Sequence, residues 1–131
     1  MSLAARPFGR VHEARWSISL PEWRVLIGIH KRPGVSGSEL SAALGLDKMA
    51  ISRAVRVLER AGHVTRSAAP GDVRRQALRC TPQGEELCQS MAPHDRQLEH
   101  ELLGALSPEE TAQLVAMLDR LVDRAREAAH N

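Results

Sequence analysis

The stretch SGSELSAALGLDKMAISRAVRVLERAGHVTR, residues 36–66, decides the fold of this chain. Ser36 and Glu39 have the spacing of a capping box, and Asp47 is a typical N-cap residue immediately before KMAISRAVRVLERA. A glycine stands just after each predicted helix, where a left-handed residue commonly ends helices. The inward positions expected in the first helix are Leu40, Ala43 and Leu44. Two short helices joined by a tight turn that contains glycine predict a helix-turn-helix.

The second helix of this stretch is predicted to have two different faces. Apolar side chains recur at helical spacing and indicate a stripe that faces a core. They are Ile51, Ala54, Val55 and Leu58. The opposite face carries Met49, Ser52, Arg53, Arg56 and Arg60. Serine can hydrogen-bond several base edges, and arginine can fork onto guanine or clamp a phosphate, so this face suits the DNA major groove. An ordinary amphipathic helix with a basic surface would show the same pattern.

A β-hairpin is predicted directly after the helix-turn-helix. HVTRS at 63–67 predicts a strand, AAPGDV at 68–73 a turn, and RRQALRC at 74–80 a returning strand. This arrangement is typical of a winged helix, whose arginines can enter the minor groove because its narrow shape concentrates negative potential. Asp72 lies just before two arginines and can orient one of them without quenching its charge. The alternative is a surface ion pair of little energetic value.

The 131 residues carry a net charge of only +2, but that charge is unevenly distributed. From Lys48 to Arg79 there are eight basic residues and two acidic ones, whereas from Glu85 to the end there are four arginines and ten acids. A basic middle is what a polyanion-binding surface requires, since phosphate contacts supply much of the affinity for nucleic acid. A solvated charged face would have the same composition, so charge alone leaves both interpretations open.

Helices are also predicted on both sides of the winged helix. SLPE at 19–22 begins one of them. Its expected inward positions are Trp23, Leu26, Ile27 and His30. Thr81 and Pro82 begin another, which Pro93 is expected to kink or break, and Ser107 caps the last. Apolar positions in these two C-terminal helices are Leu87, Met91, Leu98, Leu102, Leu103, Leu114, Met117, Leu118, Leu121, Val122 and Ala125. They offer more apolar surface than one small winged helix can bury, so a symmetric homodimer is expected.

Several functional classes lack the sequence features that they require. No apolar run approaches the roughly 20 residues of a membrane-spanning helix, and the first residues do not predict a secretory leader. Without a Gly-rich phosphate loop, a nucleophile elbow or a carboxylate pair in an evident cleft, neither an enzyme nor a cofactor is expected. The six histidines include no pair four residues apart, which gives a metal site little support. Cys80 and Cys88 form no disulfide pattern, which indicates a reducing cytoplasm. They are expected to be small core residues, and the alternative is a redox sensor.

Three segments together resemble the MarR family of winged-helix transcriptional regulators, from about residue 18 to about residue 124. They are LPEWRVL, GVSGSELSAALGLDKMAISRAVRVLERAGHVTR and GDVRRQALRCTPQGEEL. The specific features are Asp-Lys-x-x-x-Ser-Arg at the start of the recognition helix, Leu-Glu-x-x-Gly at its end, and an Asp-x-Arg wing followed by Thr-x-x-Gly. The resemblance implies a mainly α fold with a small β-hairpin wing. It also implies a cytoplasmic, DNA-binding homodimer that acts as a ligand-responsive repressor on palindromic double-stranded DNA.

The resemblance also implies roles for individual residues. In or near the major groove it places Lys48, Met49, Ser52, Arg53 and Arg56. On the wing, Arg74 would read the minor groove and Asp72 would brace it, while Arg75 would be a backbone contact or a solvated charge. Members of the family commonly bind small aromatic or phenolic anions between the dimerisation helices and the winged helix. Candidate walls of such a pocket are Arg15, Trp16, Arg24 and His30.

The implied organisation is a short N-terminal dimerisation segment at 1–18, a winged helix-turn-helix at 19–81 and a C-terminal helical dimerisation region at 82–131. Members of the family usually begin with a longer first helix, so the N-terminal part of the interface is expected to differ from theirs. The alternative function is a winged-helix protein-interaction module without sequence-specific DNA binding. Such a module would not need the recognition-helix and wing arginines exposed together, and its binding would not weaken steeply with salt.

Overall fold

The computed structural model of this chain describes residues 11–69 and 71–130, except for the side chains at 69 and 72–74. Residues 11–16 are helical. They are followed by α1 (Leu20–Lys31), α2 (Gly37–Leu44), α3 (Lys48–Arg60), β1 (Val64–Ala69), β2 (Asp72–Cys80), α4 (Pro82–Leu103) and α5 (Pro108–His130). The two strands form one antiparallel sheet. The predicted mainly α fold with a small β-hairpin is therefore confirmed.

The chain divides into two compact units between Met91 and Ala92. The first unit contains α1 to α3, the wing and the first part of α4, and the second contains the rest of α4 and α5. This division falls later in the chain than the predicted boundary between 81 and 82. The reason is that Cys88 and Met91, in the first turns of α4, are buried in the core of the first unit.

Local hydrogen bonds determine where the helices begin and end. The predicted capping boxes of α1, α2 and α5 form between Ser19 and Glu22, Ser36 and Glu39, and Ser107 and Glu110. At α3, the Asp47 carboxylate accepts a hydrogen bond from the Ala50 amide at 2.7 Å. Gly45 ends α2 with a φ of 66°, a left-handed conformation that costs little only when no Cβ is present. The boundaries of the helix-turn-helix are thus set by neighbouring residues.

The core of the first unit is built around the predicted apolar stripe of α3. No side chain of this stripe is more than 4% exposed. It packs in one cluster with Val25, Leu26 and Ile29 of α1 and with Leu40 of α2. Gly28 allows α1 and α2 to approach closely, since a Cβ at that position would stand 2.8 Å from Leu40 Cδ2. The buried stripe therefore holds α3 with its opposite face outward.

Two of the predicted inward positions were wrong. His30 is exposed, because the buried side of α1 is centred on Val25, Leu26 and Ile29 and His30 lies beyond its edge. Ala43 is also exposed, whereas Leu40 is buried. The eight residues of α2 make only about two turns, and Leu40 is the position that reaches the core.

The wing is longer than predicted and is attached to the segment before α2. Strand conformation extends to Ala69 and resumes at Asp72, with a register shift after Ala68. Most of the predicted six-residue turn is therefore strand. At the base of the wing, Val35 forms a bridge with Leu78 of β2. This bridge attaches the hairpin to the helix-turn-helix through main-chain hydrogen bonds.

α4 continues through Pro93, so this residue does not break the helix, and the kink that was the other expectation stays a prediction. Proline removes one main-chain hydrogen bond and displaces the carbonyl four residues earlier, here that of Gln89. Pro93 and Gln89 are both exposed, so water can satisfy the freed carbonyl.

α5 of the second unit has no buried residue. Its large apolar side chains, and one at the end of α4, are exposed: Leu102, Val115, Met117, Leu118, Leu121 and Val122. The predicted apolar stripe of α5 is therefore uncovered. None of the helices within the described ranges combines the length and the apolar character needed to cross a membrane.

Candidate nucleic-acid interface

The outward face of α3 is the candidate surface for nucleic acid. Lys48, Met49, Arg53 and Arg56 are exposed there, and Ser52 is partly buried. Lys48 and Arg53 form no ion pair with any side chain that the structure describes, so their charges are available to a polyanion. Met49 is 67% exposed in the first turn, the end of a recognition helix that meets base edges. The structure thus brings the five predicted recognition-helix residues to one surface, and their contact with DNA stays a prediction.

Arg66 of β1 attaches the wing to the C-terminal half of α3. Its guanidinium forms an ion pair with Glu59 and donates a second hydrogen bond, 3.0 Å long, to Gln76 Oε1 of β2. The hydrogen bond from Arg66 lowers the pKa of the Glu59 carboxyl, and the same contact raises the pKa of Arg66. Glu59 therefore stays ionised at neutral pH. Arg66, which contributed to the basic middle of the sequence, has its charge balanced within the fold.

Arg75 of β2 pairs with a carboxylate. The sequence had suggested either a contact with the DNA backbone or a solvated charge. Its Nη2 atom donates a hydrogen bond to Glu39 in the first turn of α2. The two residues lie 36 positions apart in the chain, and no local pattern relates them. This contact is therefore one that sequence reasoning missed.

A cleft of about 670 Å³ lies between the start of α2, the recognition helix α3 and the wing. Apolar residues at its base are Ile51, Val55 and Leu78, all buried. Polar and charged residues line the rest, among them Lys48, Ser52, Arg66 and Arg75. The wing and the start of α3 thus form opposite sides of one cleft and are held to the same core.

The predicted pair at the start of β2 lies outside the described side chains. Asp72 and Arg74 belong to the strand, but only their backbone is described. The assignment of Arg74 to the minor groove and of Asp72 as its brace therefore stays a prediction.

The four candidate walls of a ligand pocket have different partners. The Arg15 guanidinium lies 4.9 Å from the ring centroid of Trp16, so these two come together. Arg24 donates a hydrogen bond of 2.7 Å to the Leu44 carbonyl at the end of α2. His30 Nδ1 lies 2.6 Å from Glu85 Oε2 at an exposed position. Arg24 and His30 thus have structural partners within the first unit, and the ligand pocket stays a prediction.

His12 is a buried polar residue that the sequence reasoning did not single out. Its side chain is fully buried, and its ring centroid lies 5.5 Å from that of Trp16 and 4.7 Å from that of Trp23. The four-residue spacing of His12 and Trp16 on one helical segment is the signal that could have related them. This aromatic cluster gives Trp16 a packing role beside its contact with Arg15.

Cys80 and Cys88 have the character of core residues. Cys88 is 3% exposed, and Cys80 packs against the same cluster. A hydrogen bond with Cys88 and burial raise the pKa of the Cys80 thiol far above its ordinary value. A thiol that stays protonated is a poor nucleophile, which disfavours the redox-sensor alternative. Over residues 11–69 and 71–130, no three His, Cys, Asp or Glu side chains are grouped so as to hold a metal ion.

Comparison with known proteins agrees with this architecture. Residues 16–75 match the MarR family. HosA, a transcriptional regulator of Escherichia coli O111:H-, is 27% identical over 117 residues, which cover 86% of this chain and 87% of HosA. YdgJ, an uncharacterized HTH-type transcriptional regulator of Bacillus subtilis (strain 168), is 30% identical over 109 residues, covering 83% of this chain and 66% of YdgJ. The crystal structure of a MarR/EmrR family transcriptional regulator from Acinetobacter sp. ADP1 has a TM-score of 0.87 at 25% identity, covering 96% of this chain and 92% of that one.

The matched region contains the candidate surface. Residues 16–75 include α1, α2, α3, β1 and the start of β2, and therefore the whole recognition helix and the tip of the wing. The relatives named above are transcriptional regulators and not enzymes. The chain therefore belongs to the MarR family of DNA-binding, winged-helix transcriptional regulators.

Proposed function

We propose that this protein represses transcription by binding a palindromic operator as a homodimer, and that a small aromatic or phenolic anion releases it. One observation carries the DNA recognition. It is the outward face of α3, where Lys48 and Arg53 have no carboxylate partner among the described side chains while the opposite stripe is buried. A helix held by its apolar back and basic at its front suits the major groove, which is about 12 Å wide.

Each side chain on this face has a chemical role in the proposal. Arg53 donates two hydrogen bonds to the O6 and N7 atoms of a guanine, and Ser52 bonds a neighbouring base edge. Met49, at the entry of the groove, contacts the methyl group of a thymine. Lys48 and Arg56 contact phosphates, which fix the register of the helix without reading sequence.

The wing is proposed to extend the contact beyond the major groove. Arg74 enters the adjacent minor groove, with Asp72 as its brace, because a narrow minor groove attracts arginine. Two contacts support a wing held in one direction: Arg66 with Glu59 of α3, and Arg75 with Glu39 of α2. A wing held in advance loses less conformational freedom when it binds.

The second unit is proposed to form the homodimer. Its exposed apolar side chains on α5 include Leu118 and Leu121, and burial of such a stripe is a large driving force for association. A two-fold symmetric dimer presents two copies of α3, which match half-sites about 34–36 Å apart on a palindrome.

The ligand is proposed to change the distance between the two winged helices of the dimer. An aromatic anion can pair with the Arg15 guanidinium and stack on Trp16, which already lie together. Such a ligand lowers DNA affinity only if it binds more tightly to a dimer whose winged helices do not fit the half-sites than to one whose winged helices fit them. The protein acts in the cytoplasm, a reducing compartment that suits two cysteines that form no disulfide.

The test is an unbiased selection of bound genomic fragments with the purified protein, repeated with small aromatic acids. We expect enrichment of palindromic sites, loss of binding as salt rises from low to physiological concentration, and release by at least one of the acids. A reporter gene placed behind an enriched site should be expressed less when the protein is present. No enriched sequence, or binding to a protein partner that salt does not weaken, would support the interaction-module alternative instead.

A further inference from the structure

Glu39, in the first turn of α2, receives hydrogen bonds from three parts of the fold. Its Oε1 atom accepts from the Ser36 amide at 3.1 Å, which is the capping interaction. Its Oε2 atom accepts from Arg32 Nη2 at 3.1 Å, just after the end of α1. Oε1 also accepts from Nη2 of Arg75 in β2. One carboxylate thus joins the end of α1, the start of α2 and the wing.

The contact between Glu39 and Arg75 lies nearer the hairpin tip than the main-chain contacts at the wing base. There the Leu78 amide donates to the Val35 carbonyl at 2.9 Å, and the Gly34 amide donates to the Leu78 carbonyl at 2.8 Å. Arg75 precedes Leu78 by three residues, or roughly 10 Å along a strand. Together with the contact between Arg66 and Glu59 of α3, these attachments hold the hairpin to three different segments, and the contact with Glu39 is the one that holds its α2 side.

The charge balance at this junction suits a surface beside DNA. A lone carboxylate near a polyanion would repel phosphates. Here Glu39 pairs with two guanidinium groups, those of Arg32 and Arg75, so the junction keeps a net positive charge. The carboxylate can therefore hold the wing without making the surface acidic.

We infer that Glu39 is a positioning residue for the wing. Through Arg75 it sets the angle at which the hairpin tip meets DNA, and it touches no base or phosphate itself. This inference rests on the proposed function, since it assigns to Glu39 a part in the same DNA contact. In this inference Arg75 links the wing to Glu39 and does not contact a DNA phosphate, which was one of the two roles that the sequence allowed.

Conservative variants separate this role from the capping role of Glu39. Glu39→Gln removes the charge but keeps the cap, because glutamine also serves in capping boxes. Arg75→Gln removes the other side of the same contact. Glu22→Gln is the matched control, since it makes the same change in the capping box of α1, where the described hydrogen bonds of the Glu22 carboxylate are with Ser19.

Affinity is measured by fluorescence anisotropy on a DNA fragment selected by the wild type, together with hydroxyl-radical footprinting. We expect Glu39→Gln and Arg75→Gln each to weaken binding about two- to fivefold, because both lose the exposed ion pair between Glu39 and Arg75. Protection should be lost at the outer edges of the site and kept at its centre. The double variant should bind no more weakly than the weaker-binding of the two single variants, because Arg75→Gln removes a contact that Glu39→Gln has already removed. Glu22→Gln should bind like the wild type.

Unchanged binding by Glu39→Gln would overturn the inference, because the carboxylate would then have no effect on how the wing meets DNA. Tighter binding would overturn it as well, because the carboxylate would then only repel phosphates. Additive losses in the double variant would overturn it as well, since Arg75 would then act independently of Glu39. A wild-type protein that selects no DNA contradicts the proposed function and this inference together. A wild type that selects DNA, with a Glu39→Gln footprint identical to it, contradicts the inference alone.

Discussion

Helices α3 and α5 have similar amphipathic patterns but opposite surroundings. In α3 the apolar stripe is at most 4% exposed, whereas in α5 no residue is buried and Leu121 is 66% exposed. The difference shows that helical periodicity predicts which side of a helix is apolar without predicting what covers that side. For α3 the cover comes from α1, α2 and the wing within one unit. For α5 we propose that it comes from a second copy of the chain.

The largest expected effect is on the buried stripe. Leu58→Ala should lower the free energy of unfolding by about 2–5 kcal/mol, because Leu58 is 1% exposed and its truncation leaves a cavity. The adjacent Val57→Ala is the matched control, since Val57 is 45% exposed and should cost no more than about 0.5 kcal/mol. Chemical denaturation followed by circular dichroism measures both. Equal losses in the two variants would mean that Leu58 is not buried more deeply than Val57, contrary to the structure.

A change in the stripe of α5 should affect association and leave folding of the first unit intact. Leu121→Asp should weaken the homodimer by about 2 kcal/mol or more, the scale of a central interface residue, because it places a charge in the apolar stripe. Analytical ultracentrifugation over a range of concentrations measures the dimer constant. Gln113→Asp introduces the same charge off the stripe and should leave the dimer unchanged. A Leu121→Asp protein that self-associates like the wild type would refute the proposed role of α5.

The outer face of α3 should affect DNA binding without changing stability. Arg53→Ala should cost about 1–3 kcal/mol of binding free energy and relax the preference for one base, because a forked contact with guanine is lost. Competition binding with operators altered one base pair at a time measures both effects. Arg60→Ala, at the other end of α3, should lower affinity by a similar factor for all sequences. If Arg53→Ala kept the full base preference, the major-groove assignment would be wrong.

The smallest expected effect is the pH dependence of the contact between α3 and the wing. Arg66 lowers the pKa of Glu59 below its ordinary value of 4.5, so this contact stabilises the fold above that pH and is lost as the pH falls through the lowered pKa. Glu59→Gln should therefore cost about 0.2–1 kcal/mol at neutral pH and almost nothing in strong acid. Urea denaturation across that pH range measures the difference. A cost that does not change with pH would exclude a role for the Glu59 charge.

Much of the winged helix could be predicted because its determinants are local. Ser36 with Glu39, and Asp47 with Ala50, are three residues apart, so the residue types alone indicate the helix starts. The stripe of α3 follows from a period of 3.6 residues. Pro93 shows the limit of such local rules, since a residue that commonly breaks helices lies within α4 at an exposed position.

The candidate site could be predicted only in part. The recognition-helix positions followed from the outward face of α3. The partner of Arg75 could not be predicted, because Glu39 lies 36 residues earlier and meets it only when the wing folds back on α2. The contacts of Arg24 with Leu44 and of His30 with Glu85 could not be predicted either, because no pattern in the sequence relates these residues, and their place in a ligand pocket stays a prediction.

By itself the sequence determined the order of the helices, the hairpin and the two faces of α3. Those features depend on residues a few positions apart, through capping hydrogen bonds, glycine conformations and the helical period. Only the tertiary structure decided which stripe is buried, that Cys88 and Met91 of α4 belong to the first core, and that Glu39 and Arg66 hold the wing. Those features depend on residues distant in the chain, whose side chains meet only after the elements have packed.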